Sequence, residues 1–161
     1  MKTEFLVRAA SIGDAFEISK LVVLTINQSC FLDHNDDFKI IDKWVKNKTV
    51  TNFIEWINDS SLYLNVVLSD GRISGIGMCD SGSHISLCYV LPEFMRGGVG
   101  AAIIEDLESR LWARGLLQVN LVSTKTAYEF YKRLGYERSA ADIVIKGVTG
   151  IPMSKKLKEV I

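Results

Sequence analysis

Three glycines stand within four residues near the middle of the chain, at Gly97, Gly98 and Gly100, directly after Arg96. The apolar, β-prone segment before them ends at Pro92, because proline cannot donate to a sheet ladder. After them apolar residues recur at every fourth position, which is typical of an amphipathic helix. The first turn of a helix has unpaired N–H groups, and glycines there let an anion approach the backbone. The pattern predicts a phosphate-binding turn, and a plain tight turn is the alternative.

Two common phosphate-binding motifs do not fit this turn. A P-loop requires Gly-Lys-Ser/Thr, but Gly100 is followed by Ala101 and Ala102. A dinucleotide-binding fingerprint requires a small residue where this chain has Ile103. The turn is therefore expected to bind a phosphate-bearing ligand in a way that neither of these two motifs describes.

The segment Pro92–Ala101 (PEFMRGGVGA) resembles the acetyl-CoA pyrophosphate loop of the GNAT superfamily of N-acetyltransferases. Downstream, Thr124–Tyr136 (TKTAYEFYKRLGY) is similar to the second signature of that family, a helix that ends in Tyr-x-x-x-Gly-Phe/Tyr. The two segments have the order and spacing of the family. One departure is Met95, where the family usually has Gln or Arg, and Arg96 could supply the charge.

The resemblance implies that acetyl-CoA is the co-substrate and that the backbone of the turn holds its phosphates. In the family, N–H groups of the strand before the turn face the pantetheine and the thioester carbonyl, whereas an ordinary paired strand is the alternative. The cofactor-binding residues implied in this way are Cys88, Tyr89, Val90, Arg96, Gly97, Gly98, Val99, Gly100, Ala101 and Thr124.

Two residues are candidates for proton transfer. Tyr131 matches the family tyrosine, and a phenol, with a pKa of about 10, can protonate a departing thiolate of pKa about 8.5. Where many members have a glutamate base, this chain has His84, and a histidine side chain can accept a proton. The alternative to a catalytic role is a buried, packed aromatic residue for Tyr131 and a surface histidine for His84.

His84 and Cys88 are separated by four strand residues, about 13 Å, so they cannot form a nucleophilic dyad. Direct attack by the amine is therefore favoured over an acetyl-cysteine intermediate. Other candidate bases, Asp33, His34 and Asp36, lie in the acidic stretch 30–37, which a solvated turn also explains. No metal is expected, because the spacing of the cysteines and histidines matches no zinc motif.

The order of elements is consistent with a GNAT fold. A strand over 4–9 precedes helices over 15–27, 38–45 and 50–57, with Thr49 as a candidate cap, and three strands (62–68, 73–79 and 85–90) then form an antiparallel meander. The helix after the glycines precedes a strand over 118–122 that is expected to lie parallel to its neighbour, then a helix over 125–134 capped by Thr124, and a closing hairpin. The fold class is thus α/β, a mixed and mostly antiparallel sheet flanked by helices. The resemblance implies that this sheet is splayed at the cofactor site.

Length and composition set limits on these interpretations. A chain of 161 residues predicts one domain over 1–161, and 19 basic against 19 acidic residues argue against nucleic acid as a partner. No apolar run reaches membrane length, the N-terminus has no signal-peptide core, and three cysteines suggest a reduced, cytoplasmic protein.

The sequence therefore predicts a metal-free, acetyl-CoA-dependent N-acetyltransferase that acts on a primary amine, with a small molecule as the preferred acceptor. A protein N-terminus or lysine, a CoA-binding regulatory module without turnover, and a nucleotide-binding domain are the alternatives, and homodimerisation is left open. Trp44 and Trp56 are expected to form the acceptor wall, although sealing a core is their alternative role. The segment 146–153 is expected to lie over the acceptor channel.

Overall fold

The computed structural model describes residues 4–158, which form a mixed sheet with helices on both faces. In the described residues the elements are β1 Phe5–Ala9, α1 Ala15–Ser29, α2 Phe31–His34, α3 Phe38–Val45, α4 Val50–Asn58, β2 Leu62–Ser69, β3 Arg72–Asp80, β4 His84–Val90, α5 Val99–Ala113, β5 Gln118–Ser123, α6 Tyr128–Arg133, β6 Glu137–Arg138, β7 Ile143–Ile145 and β8 Val148–Lys156.

The sheet has the strand order β1-β2-β3-β4-β5-β8-β6, and β7 pairs with β8. All neighbouring strands are antiparallel except β4 and β5, which are parallel because α5 carries the chain back across the sheet. The predicted meander, the parallel neighbour and the closing hairpin are confirmed, as is the mostly antiparallel fold class.

The parallel pair is very short. Its register joins only His84 to Asn120 and Ile85 to Leu121. The pairing of β4 with β3 also shifts at this point, so that Ser86 is an extra residue without a partner on β3. Beyond Ile85 the two strands therefore separate, and a gap opens in the middle of the sheet.

Helix α5 lies closely against β3 on one face of the sheet. A Cβ added at Gly77 would clash with the Ile103 side chain, and one added at Gly75 would stand 2.8 Å from the same side chain. Ile103 is fully buried. The two glycines thus let α5 approach the sheet directly under the segment that leads to the glycine turn. Helices α1 and α4 pack on the opposite face.

The short helices begin at capping side chains. Asp37 accepts hydrogen bonds at the start of α3, and Thr49 accepts one from Asn52 N at the start of α4, as predicted for Thr49. The predicted loop over 30–37 instead contains the short helix α2. The helix predicted from Lys125 begins only at Tyr128, because the preceding residues form a turn that side chains hold in place.

None of the helices in residues 4–158 combines the length and the apolar character that a bilayer crossing requires.

Candidate active site

The glycine turn leads directly into the N-terminus of α5. Gly98, the residue before the helix, has φ = +90°, and Arg96 also has a positive φ of +64°. No side chain caps this helix among the described residues, whereas side chains cap α3 and α4. The first N–H groups of a 15-residue helix thus remain available to an outside acceptor.

Gly100 is required for another reason. A Cβ at this position would lie 2.9 Å from two ring atoms of Phe130 in α6. By contrast, a Cβ at Gly97 would meet its nearest neighbour, the carbonyl oxygen of Phe94, at an ordinary 3.6 Å. The sequence pattern alone did not separate these two glycines. Gly100 brings the two signature segments together through this contact with Phe130.

A cavity of about 500 Å³ occupies the gap between β4 and β5 and extends to the start of α5. Gly97 and Val99 are not among the residues that line it, and Val99 is buried in the core. The lining includes nine of the predicted site residues: Cys88, Tyr89, Val90, Arg96, Gly98, Gly100, Ala101, Thr124 and Tyr131.

Tyr131 and Cys88 interact in this cavity. Burial and the neighbouring Cys88 and Tyr89 raise the pKa of the Tyr131 phenol well above its ordinary value. Burial raises the pKa of the Cys88 thiol to about 12, although a hydrogen bond from Tyr131 partly opposes this shift. At neutral pH both groups are therefore protonated, so the Tyr131 hydroxyl keeps its proton and Cys88 is not a thiolate.

The backbone of β4 directs only some of its N–H groups into the gap. Leu91 N donates to the carbonyl oxygen of Ser74 on β3 at 2.8 Å. Because these directions alternate along a strand, Tyr89 N–H also faces β3, whereas the N–H groups of Cys88 and Val90 face the gap. The expectation that all three N–H groups face a thioester is thus corrected for Tyr89, which reaches the cavity by its side chain.

A second cavity of about 280 Å³ adjoins the first and shares five lining residues with it: Ser86, Leu87, Tyr89, Val122 and Thr124. The Tyr89 hydroxyl accepts a 3.1 Å hydrogen bond from the indole Nε1 of Trp44 at this junction. Part of the predicted cover, residues 146 and 148–150, borders this smaller cavity. Trp56 lines neither cavity and instead packs edge-on against the ring of Phe53.

His84 lines the smaller cavity and not the one that contains Tyr131. Its backbone N–H donates to the carboxylate of Asp80 at 3.0 Å, which fixes the start of β4. The two predicted catalytic residues therefore lie in adjoining cavities.

The three other candidate bases line neither cavity. His34 is fully buried, its Nε2 lies 2.8 Å from the carbonyl oxygen of Ile26, and its Nδ1 accepts a hydrogen bond from Asp36 N. The Asp33 carboxylate accepts hydrogen bonds from the backbone of Lys125 and Thr126. The solvated-turn interpretation is thus wrong for Asp33 and His34, which are structural, and only Asp36 is exposed.

The chain matches the sequence profile described as an acetyltransferase (GNAT) domain over residues 33–157. The chain belongs to the GNAT acetyltransferase family. The resemblance stated from the two motifs is confirmed, and the protein is an acetyltransferase. The matched region includes all the residues that line the two cavities except Thr25, Ser29 and Cys30.

One sequence relative and two solved structures are similar to this GNAT acetyltransferase. A curated candidate acetyltransferase of Bacillus subtilis (strain 168) is 25% identical over 88% of this chain and 87% of its own length. The structure of a GCN5-related N-acetyltransferase from Rhodopseudomonas palustris superposes with a TM-score of 0.86 at 22% identity and covers 98% of both chains. The PaiA N-acetyltransferase from Thermoplasma acidophilum, solved in complex with coenzyme A, has a TM-score of 0.80 at 16% identity, over 96% of this chain and 99% of that one.

Sequence reasoning missed several residues that line the cavities of this acetyltransferase. Arg133 lines the larger cavity and stands within the second signature, so its position next to Tyr131 was a usable signal. Lys48 and Lys146 line the smaller cavity, but they lie on separate elements and no local pattern distinguishes them from surface lysines. Within residues 4–158, His, Cys, Asp and Glu side chains do not gather into a group of three that could hold a metal ion.

Proposed function

We propose that this acetyltransferase moves an acetyl group from acetyl-CoA to the primary amine of a small molecule. The observation that carries the proposal is the gap between β4 and β5, where one cavity reaches from the start of α5 to Tyr131 and a second meets it at Tyr89. A two-substrate transfer needs such a meeting of two sites. The coenzyme A complex of the Thermoplasma acidophilum neighbour supports the choice of donor.

The residues around the turn fit a phosphate-bearing ligand. The uncapped start of α5 offers backbone N–H groups, and Arg96 and Arg133 add positive charge to the lining of the larger cavity. Gly97 and Val99 do not line the larger cavity, and we propose that they contribute to ligand binding only through their backbone. Thr124 holds part of the cavity wall in place, because its hydroxyl accepts a hydrogen bond from Ala127 N.

When bound, acetyl-CoA supplies a thioester. The amine nitrogen forms a C–N bond to the acetyl carbon, the C–S bond breaks, and the amine loses a proton while the departing sulfur gains one. Tyr131 is proposed to donate that proton, because its raised pKa keeps the phenol protonated. The N–H groups of Cys88 and Val90 are proposed to bind the carbonyl oxygen as it gains negative charge.

Direct attack by the amine is proposed in preference to an acetyl-cysteine. A thiol with a pKa of about 12 has very little thiolate at neutral pH, so Cys88 is a poor nucleophile. His84 lines the other cavity and cannot activate this thiol. His84 is instead proposed to accept the amine proton on the acceptor side, directly or through water.

The smaller cavity supports a small acceptor. Its volume of about 280 Å³ is close to the lower limit of ordinary small-molecule pockets. One structural neighbour, the ribosomal-protein-S18-alanine N-acetyltransferase of Escherichia coli, has a TM-score of 0.63 at 15% identity, so transfer to a protein N-terminus is the second candidate. We further propose that 1–161 act as one domain, since α1 supplies Thr25, whose hydroxyl donates to the Val90 carbonyl.

Two measurements test the function. Calorimetric titration with acetyl-CoA, with ATP and NAD as controls, should show binding by acetyl-CoA alone. Release of free CoA thiol is then followed with panels of small amines and of peptides that have free N-termini. Turnover of small amines supports the proposal, and turnover of peptides alone supports the second candidate. Binding of acetyl-CoA without any turnover would instead indicate a regulatory CoA-binding module, and no binding at all would remove every site assignment.

A further inference from the structure

The smaller cavity is lined by three basic side chains, Lys48, His84 and Lys146. None of the described residues that line it is an aspartate or a glutamate. A site that attracts an acceptor through its ammonium group would be expected to present a carboxylate, because opposite charges favour binding. The charges of this cavity instead favour an anion.

Lys48 is held in position before any ligand arrives. Only 8% of this residue is exposed, and its Nζ donates to the Trp44 carbonyl oxygen and to Asn47 Oδ1. An ammonium group has three donors, so one remains available. Fixing a lysine in this way lowers the entropic cost of binding an anion.

Lys146 adds a second positive charge next to the first. It lies in the tight turn between β7 and β8 with φ = +52°, and the turn brings its side chain to the cavity. Burial, and after it the charge of Lys146, lowers the pKa of Lys48 to about 8. Two like charges at a partly buried site destabilise the free protein, and a bound anion would relieve this repulsion.

We propose that the acceptor is a small primary amine that also carries a carboxylate or phosphate group, and that Lys48 and Lys146 bind this anionic group. The proposal rests on the proposed function, in which the smaller cavity takes the acceptor. The same positive charges assist the reaction, because they disfavour the ammonium form of the bound amine and so increase the neutral fraction that can attack. His84 lines the same cavity as the bound amine, so it lies on the side of the site where the amine proton must leave.

Matched amines test the charge preference with the full chain and acetyl-CoA. One set is γ-aminobutyrate, butylamine and putrescine, and the other is phosphoethanolamine and ethanolamine. We expect kcat/KM to be at least about tenfold higher for the anionic member of a set, as for one charge-assisted hydrogen bond. Comparison of the two sets distinguishes a carboxylate from a phosphate as the preferred anion.

Three variants assign the preference to the two lysines. Lys146→Met and Lys48→Met should each lower the ratio of kcat/KM for the anionic amine to kcat/KM for its uncharged partner, because an effect common to both amines cancels in this ratio. Lys43→Met is the matched control, since Lys43 is exposed on α3 and lines neither cavity. If Lys48→Met fails to fold because its contacts in the 44–48 segment are lost, Lys146→Met alone decides.

A binding readout separates this proposal from the proposed function. Trp44 lines the smaller cavity, so its fluorescence can follow titration of the protein with γ-aminobutyrate or phosphoethanolamine. Anion binding that depends on Lys146, without acetyl transfer to any amine, would support the anion site and remove the transferase proposal. Equal turnover of charged and uncharged amines would overturn the anion site and leave the transferase proposal standing. Absence of both turnover and anion binding would also overturn the anion site.

Discussion

The carboxylate of Asp33 accepts a 2.7 Å hydrogen bond from the backbone N–H of Lys125, which lies 92 residues later in the chain. The same carboxylate accepts hydrogen bonds from the backbone N–H and the hydroxyl of Thr126. Asp33 thereby joins α2 to the turn that precedes α6, the helix that carries Tyr131. The position of the proposed proton donor thus depends on a distant acidic side chain.

Replacing this carboxylate should loosen that turn. Asp33→Asn removes the charge from three hydrogen bonds, and hydrogen bonds to charged groups contribute about 1.5 to 3 kcal/mol each. We expect the melting temperature to fall by roughly 3 to 10 °C, and kcat to fall with it. Differential scanning calorimetry gives the first value. Asp36→Asn is the control, because the Asp36 side chain is exposed, and an equal loss in both variants would contradict the assignment.

Tyr131→Phe tests proton donation to the leaving thiolate. The substitution removes only the hydroxyl, so kcat should fall by about 100-fold or more while the KM for acetyl-CoA changes little. Thiol-release kinetics provide both parameters. Tyr128→Phe is the matched control, since Tyr128 lies one turn earlier against Arg138 and lines neither cavity. An unchanged kcat in Tyr131→Phe would make Tyr131 a packing residue.

Cys88→Ala distinguishes direct attack from an acetyl-cysteine mechanism. Because the thiol has a pKa of about 12, we expect the variant to retain kcat within about threefold. Mass spectrometry of the wild-type protein, quenched after mixing with acetyl-CoA alone, should find no acetyl group on the peptide that contains Cys88. An acetylated peptide that disappears on addition of amine would establish the covalent route instead.

The glycine turn should tolerate substitution unevenly. Gly100→Ala places a Cβ 2.9 Å from the Phe130 ring, and such overpacking costs about 1 to 3 kcal/mol of the free energy of unfolding. Gly97→Ala meets nothing closer than 3.6 Å and should change that free energy by less than about 0.5 kcal/mol. Urea denaturation measures both. Equal values would mean that α6 adjusts freely to α5.

The buried Lys48 predicts a particular dependence of stability on pH. Its pKa is about 8 in the folded protein against an ordinary 10.5, so between these values the unfolded chain binds more protons. Rising pH therefore favours the folded state in this interval. The free energy of unfolding of the wild-type protein, relative to Lys48→Met, should increase from pH 8 to pH 10. Lys43→Met is the matched control, because it removes an exposed lysine of α3, and an equal increase relative to both variants would contradict the assignment.

The parts of the fold that were predictable depend on local signals. Pro92 and the glycines fix the passage from β4 to α5, and the strand–helix–strand order requires the parallel partner. Thr49 caps α4 and Thr124 caps the turn before α6, as their positions before helical patterns indicated. These features need only a few neighbouring residues, so the sequence is sufficient to find them.

The parts that were not predictable depend on contacts between distant segments. His34 reads as a surface residue in an acidic loop, yet it is fully buried against α1. Lys48 and Lys146 line one cavity because the loop after α3 and the turn between β7 and β8 both reach it. The direction of Tyr89 N–H follows from the register with β3, which a strand pattern does not specify.

The short β4–β5 pairing also lowers the cooperativity with which the chain unfolds. Two residue pairs join the β1–β4 part of the sheet to the β5–β8–β6 part, so few main-chain hydrogen bonds resist their separation. Each part can then exchange its amide protons with its own opening free energy. A molecule bound in the gap would contact both parts and couple their opening. Occupancy of the gap would thus set how far the protein behaves as a single cooperative unit.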